Sequence, residues 1–211
     1  MIRDQESIMS PQNKKISKHA KYISKNPISR FLINKFFQDV HRILSGISFK
    51  SVVDIGCGEG LVLKSQEARL NNIMCYAIDE DILEIADAAN NIPFCHVAVG
   101  SAYNIPLQPA SVDLAICTEV LEHLELPEKA LKEIHRVTAK YAILSVPREP
   151  IWRMLNMIRG SYWNEWGNTP GHLNHWNTHS FQGFVEKEFK ILKILTPLPW
   201  TMVLCQKRSV S

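Results

Sequence analysis

The sequence predicts an α/β fold in which a doubly wound, mainly parallel sheet is closed by an antiparallel hairpin. Three observations predict it. Short apolar runs alternate with amphipathic stretches from residue 51 to residue 147, the pattern of strands joined by crossover helices. The first of these runs leads into Val52-Val53-Asp54-Ile55-Gly56-Cys57-Gly58-Glu59-Gly60, where a strand fit for burial on both faces becomes a glycine-paved turn. The last two runs, 190–195 and 201–206, flank Pro197-Leu198-Pro199 and read as a hairpin.

The elements follow in order. Residues 1–26 form a polar, lysine-rich lead, and 27–211 read as a single domain. Residues 28–44 predict a helix, because Ile28, Phe31, Leu32, Phe36, Val40, Ile43 and Leu44 recur every three or four positions. Strands are expected at 51–55, 74–78, 94–99, 112–117 and 141–146, with helices at 61–70 and 82–89. The segment from Pro127 to Val137 is amphipathic, with proline in its first turn and basic residues near its end. Residues 178–189 close the helical set. Between them, 148–177 is an aromatic-rich insertion containing Trp152, Tyr162, Trp163, Trp166 and Trp176 with His172 and His175. It follows the fifth strand and is therefore expected over the carboxyl edge of the sheet, where ligands bind. Its aromatics suit an acceptor wall and the core of an insertion equally well.

The turn after the first strand carries chemistry. A dinucleotide fingerprint places glycines at its first, third and sixth positions; here they fall at the first, third and fifth, with Asp54 just ahead of them. That carboxylate repels a pyrophosphate and attracts a sulfonium or an amino group. Asp79 ends the second strand about twenty residues beyond the last glycine, where an acid holds a ribose diol. Asp81 stands ready to cap the next helix, which leaves Asp79 for the sugar.

With these residues the segment from Ser51 to Pro147 resembles the class I S-adenosylmethionine-dependent methyltransferases of the type 11 group, with local likeness to the ubiquinone-pathway O-methyltransferases. The resemblance implies a Rossmann-like sheet of seven strands and S-adenosyl-L-methionine as cofactor, held by Asp54, Gly56, Cys57, Gly58, Gly60 and Asp79. Ser101 and Ala102 stand where the family has an aspartate and an alanine, so adenine contact is expected there through a hydroxyl or the backbone. Thr118-Glu119-Val120-Leu121-Glu122-His123 resembles the segment that passes under the methionine part, which adds Glu119 to the cofactor set.

Methyl transfer needs alignment and a group to take the acceptor's proton. His123 and His175 are the candidates, and oxygen is the expected atom, on a small aromatic, quinol-like or carboxylate acceptor. Glu119, Glu122 and His123 are spaced to share one helical face. Similar Glu-x-x-Glu-His segments, joined by a later histidine such as His172 or His175, hold a divalent metal in small-RNA 2′-O-methyltransferases. Other relatives carry the segment without one, and no metal is assigned.

Composition limits the alternatives. Cys57, Cys75, Cys95, Cys117 and Cys205 are odd in number and lack paired spacing, so they read as reduced core residues. No apolar run reaches the ~20 residues that span a bilayer, and the polar lead does not read as a signal peptide. A cytoplasmic enzyme is expected. Between Lys14 and Arg42 eight basic residues face only Asp39, a local +7; the chain totals +3, which leaves −4 for the remainder. That basic stretch, 14–44 with its helix, suits either a solvated lead or peripheral contact with an anionic membrane. An RNA methyltransferase using the lead is the second reading, ranked lower because the body shows no basic stripe. The third is a binding or scaffold protein that keeps the fold without turnover.

Overall fold

The computed structural model describes residues 26–158 and 166–208. Its sheet has seven strands in the order β3-β2-β1-β4-β5-β7-β6, where β1 is Ser51–Ile55, β2 Met74–Asp79, β3 His96–Val99, β4 Val112–Thr118, β5 Thr138–Pro147, β6 Phe189–Leu195 and β7 Trp200–Lys207. Strands β1 to β5 run parallel; β7 lies antiparallel to both β5 and β6, which makes the closing hairpin. Helices cover both faces: α1 Pro27–Ser45, α2 Leu61–Ser65, α3 Glu67–Leu70, α4 Ile82–Asn91, α5 Pro127–Val137, α6 Ile151–Ile158 and α7 Thr178–Val185.

Alternation within the strands sorts side chains between two cores. Leu114, Ile116 and Ile143 pack with Phe36, Val40, Leu63 and Ala88 on the α1–α4 face. Ala115, Cys117, Ala142 and Leu144 meet Leu131, Ile134, Phe181 and Phe184 on the α5–α7 face. Burial of each large aliphatic or aromatic side chain contributes about 1.5–3 kcal/mol. Helix α1 starts where Asn26 Oδ1 accepts from the Ile28 amide at 2.9 Å and Pro27 takes the first turn. Its buried stripe begins only at Ile33; Ile28 and Phe31, expected on that stripe, are 69 % and 68 % exposed.

Three expectations are corrected. The helix predicted over 61–70 breaks at Gln66, whose φ/ψ of −113°/11° is not helical. Gln66 is buried and uses its carboxamide to tie the break to α1, donating to Phe37 O at 3.2 Å and meeting His41 Nδ1 at 3.1 Å. The helix predicted to reach residue 189 ends at Val185, and Phe189 opens β6 instead. The cysteines are not all reduced: Cys75 and Cys95 form a disulfide. Parallel register between β2 and β3 places Tyr76 beside His96, so the residue preceding each is carried to its neighbour, with Cα atoms 4.6 Å apart. Cys57, Cys117 and Cys205 are free and buried. Among the described residues no helix is long and apolar enough to cross a membrane. The expected lead lies almost wholly outside the described residues, as do Tyr162 and Trp163.

Candidate functional site

The site is built where β1, β2, β4 and β5 end. Asp54 is the fourth residue of β1, flanked by Ala77 of β2 and Ile116 of β4, and is 1 % exposed. Its Oδ2 is buried with no hydrogen-bond partner among the described residues. Burial, and then the charge of Asp79, pushes the Asp54 carboxyl up to about 7. A buried, orphaned carboxylate is costly unless a cation or a donor reaches it.

The turn that follows is shaped by left-handed glycines, Gly56 at φ +71°, Gly58 at +51° and Gly60 at +78°. Their reasons differ. A Cβ on Gly56 would collide with Val120, which packs the β4 loop onto this turn, and one on Gly60 would lie 2.7 Å from Ile92 Cδ1. On Gly58 the nearest atom would be Glu84 Oε2 at 3.6 Å, so this face of the turn presents bare backbone. Cys57 is buried between them; its Sγ donates to Gly58 O at 3.3 Å, and burial pushes its thiol far up, away from nucleophilic use.

Asp79 ends β2 and steadies the turn. Its Oδ2 accepts from the Gly58 amide at 2.8 Å and its Oδ1 from the Asp81 amide at 3.0 Å, while Asp81 caps α4 through the Leu83 amide at 3.0 Å. Each carboxylate oxygen keeps a second lone pair for a hydroxyl. Ser101 and Ala102 follow β3 and are half-buried; Ser101 Oγ accepts from the Tyr103 amide at 3.2 Å, with Ser101 bridged to Asn104.

On the β4 side the predicted shared helical face does not form. Glu119 takes a left-handed φ of +61°, and the chain has only a 3₁₀ turn at Leu121–His123. Glu119 turns to the α1 face, where its carboxylate accepts from Trp200 Nε1 at 2.7 Å and Ser145 Oγ at 3.3 Å and borders a narrow cleft with Ile33 and Phe36. Glu122 is buried on the other side, and Glu122, His123 and His172 bring ligand atoms within 4.8 Å of one another. The cause is tertiary: the amides of Leu173 and Asn174 donate to Glu122 O at 2.8 and 3.0 Å, and Asn174 Nδ2 donates to Leu124 O at 2.6 Å and Leu121 O at 3.2 Å. Of the residues considered for a metal, the structure brings these three together and places Glu119 apart.

His123 Nδ1 lies 2.9 Å from Gly171 O, which only a protonated nitrogen can satisfy, so Nε2 is the acceptor nitrogen of the neutral ring. That Nε2 faces Glu122 Oε1 at 3.9 Å. His172, not His175, is the histidine brought to His123, edge-on with ring centroids 4.8 Å apart; His175 is exposed. Rings continue from there: His172 stacks on Trp152 at 5.8 Å, Trp152 lies 6.2 Å from Trp200, and Trp200 meets Phe36 at 5.1 Å. The aromatic insertion is thus divided. Trp152 joins the wall of the mouth, Trp176 packs into the core with Phe181 and Phe184, and Trp166 is 77 % exposed. Sequence reasoning missed Trp200, Ser145 and Asn174, which lie in no motif and act only through partners far along the chain.

Residues 53–146 match the family model described as a methyltransferase domain. Over 103 residues the chain is 25 % identical to a ubiquinone biosynthesis O-methyltransferase of Nitrosomonas europaea, an alignment covering 46 % of this chain and 43 % of that protein. The chain thus spans less than half the length of this curated relative. A methyltransferase of Thermotoga maritima described as a possible histamine N-methyltransferase superposes with a TM-score of 0.66 at 20 % identity, over 85 % of this chain and 91 % of that one. The magnesium protoporphyrin IX methyltransferase of Synechocystis, solved with bound S-adenosylhomocysteine, gives 0.64 at 14 % identity over 87 % and 88 %. At such identities the two structures show the fold.

Proposed function

We propose that this chain, which carries a methyltransferase domain over residues 53–146, is an S-adenosylmethionine-dependent methyltransferase acting on an oxygen of a small-molecule acceptor, aromatic, quinol-like or carboxylate. The observation that carries the reading is Asp54, a fully buried carboxylate with an unpartnered oxygen beside a bare glycine turn. Such a group calls for a cation, and the residues around it fit the proposed cofactor. Asp54 faces its positive end, Gly58 lets the ligand lie against backbone, Asp79 takes the ribose hydroxyls, and Ser101 and Ala102 border the adenine. Gly56, Cys57 and Gly60 hold the turn in shape, and Glu119 lies under the methionine end with its side chain directed to the acceptor side.

When bound, the cofactor supplies a methyl group on a sulfonium with a neutral leaving group. The protein aligns the acceptor oxygen and takes its proton. His123 is suited to that task through Nε2, because Gly171 O fixes the proton on Nδ1 and the Glu122 carboxylate stands by the ring to balance the charge formed. His172 positions His123 from the side, and Trp152, Trp200 and Phe36 wall the acceptor and exclude water. The preference for oxygen is supported by the name of the Nitrosomonas relative and by this histidine–carboxylate pair.

The test is calorimetric titration with S-adenosylmethionine followed by a radiolabelled methyl assay across catechols, quinols and carboxylic acids. Micromolar cofactor binding with label transferred to oxygen is expected. Absence of cofactor binding defeats the reading.

A further inference from the structure

We propose that Glu133 and Arg136 of α5 form a clasp that positions the loop after β3, and through it Ser101 and Ala102, for the adenine end of the cofactor. The inference deepens the proposed cofactor reading and rests on it. A crossover between parallel strands is ordinarily a helix, which satisfies its own backbone. The connection from β3 to β4, residues 100–111, holds no helix, so its N–H and C=O groups must find partners elsewhere. Helix α5 supplies them. Glu133 and Arg136 stand one turn apart and lock onto each other, Arg136 Nε to Glu133 Oε1 and Nη2 to Oε2, both at 2.8 Å. Locked this way, the pair reaches into the loop: Arg136 Nη1 donates to Leu107 O at 2.8 Å and Nη2 to Ile105 O at 2.9 Å, while Glu133 Oε2 accepts from the Ile105 amide at 3.1 Å. Both backbone groups of Ile105 are therefore held by one ion pair. The bond from Arg136 keeps the Glu133 carboxyl below its usual range.

The hold passes along the loop to the adenine side. Pro106 folds back on Gly100, where an added Cβ would lie 3.0 Å from Pro106 Cδ and 2.7 Å from Ile78 Cγ2, and the Gly100 amide donates to Asp79 O at 2.9 Å. The Asn104 amide donates to Ser101 O at 3.0 Å, and the Tyr103 hydroxyl accepts from the Leu126 amide, at the start of α5, at 3.2 Å. Ser101 and Ala102 are thus set in a frame whose far side is α5. The side-chain bonds of the pair to the loop end on Ile105 and Leu107, so Glu133 and Arg136 act on the cofactor through the loop and are positioning residues. A loop ordered in advance costs the cofactor nothing on binding and presents the base with fixed polar groups; an unclasped loop has to be ordered by the ligand and reads the base poorly.

The test is calorimetry of the full chain with S-adenosylhomocysteine and with S-inosylhomocysteine, whose hypoxanthine reverses donor and acceptor along the edge of the base. Wild type should favour the adenine compound about tenfold or more. Arg136→Ala should weaken binding of that compound about tenfold and cut the preference to about threefold or less, with kcat at saturating S-adenosylmethionine within about twofold. Arg136→Lys, which keeps the charge and loses the fork, should fall between the two. Glu133→Gln is the second variant, matched in shape but without the paired charge, and should lower the preference about threefold. A merely structural role weakens both compounds alike and leaves the preference at its wild-type value, which overturns the inference. So does a wild type that binds both compounds equally. Wild type that binds neither defeats the cofactor reading itself, and the inference with it.

Discussion

The corner formed by β1 and β2 and the wall formed by the β4 loop, the insertion and β7 face each other across the same mouth, yet they are made in different ways. In the corner the main features come from residues within one strand–helix–strand unit: Asp54 lies one residue short of the end of a buried strand, Gly58 leaves its backbone bare, and Asp79 reaches back 21 positions to the Gly58 amide. The wall is made by long reaches, 81 positions from Glu119 to Trp200, 48 from His123 to Gly171 and 53 from Asn174 to Leu121. Under the proposed reading, a local design holds the cofactor. A design spread over tertiary contacts leaves the acceptor free to change without disturbing it.

That contrast is broken or sharpened by variants on each side. The largest effect is expected from His123→Gln, which should lower kcat about 10²- to 10³-fold while leaving cofactor affinity within twofold, read by single-turnover assays and calorimetry. The same assays run with chelator should show unchanged turnover. Loss of activity restored by Mg²⁺ or Mn²⁺ would instead assign Glu122, His123 and His172 to a metal.

Within the corner the glycines should separate. Gly58→Ala is expected to weaken cofactor binding about tenfold with a modest loss of stability, because its new methyl enters the ligand's face. Gly56→Ala should cost about 2–4 kcal/mol of folding stability through its collision with Val120 and its positive φ, read as a shift in the urea midpoint. If both variants lose affinity and stability alike, the division of labour between the two glycines is wrong.

Asn174→Ala tests the wall. It removes two hydrogen bonds to the Leu121 and Leu124 carbonyls and is expected to cost about 1–3 kcal/mol, with a rise in acceptor KM and little change at the corner. The smallest effect is a pH dependence of stability. Asp54 titrates near 7 in the folded chain against an ordinary 3.8, so the native state binds the proton more tightly than the unfolded state. Its stabilising share is complete below about pH 4 and is lost as pH rises through about 7. Unliganded wild type should therefore lose melting temperature between pH 5 and pH 8 relative to Asp54→Asn.

How much of this could be read from sequence follows the same line. Asp54, the glycines and Asp79 were legible because strand burial, turn geometry and strand-end position are all functions of neighbouring residues. The division between Asp79 and Asp81 was legible too, since capping is local. Glu119 was not. Its spacing to Glu122 and His123 suits a helix, but Val120 is pinned against Gly56 and Asn174 seizes the following carbonyls, so the backbone turns left-handed and the two glutamates part. Gln66 broke a helix for the same kind of reason, a buried amide finding its partner on α1. The Cys75–Cys95 pair needed the register of two parallel strands, which no spacing rule supplies.

The central claim is that Asp54 is the anion that receives the cofactor's positive charge. Calorimetry of S-adenosylmethionine binding from pH 5.5 to pH 7.5, on wild type and Asp54→Asn, tests it most directly. In wild type the affinity should rise about tenfold or more over that range, with a proton released on binding below pH 7, because the cation pulls down a carboxyl that stands near 7 when alone. In Asp54→Asn the affinity should be weaker and flat. Equal affinities for the two proteins, with the same pH profile, would contradict the account.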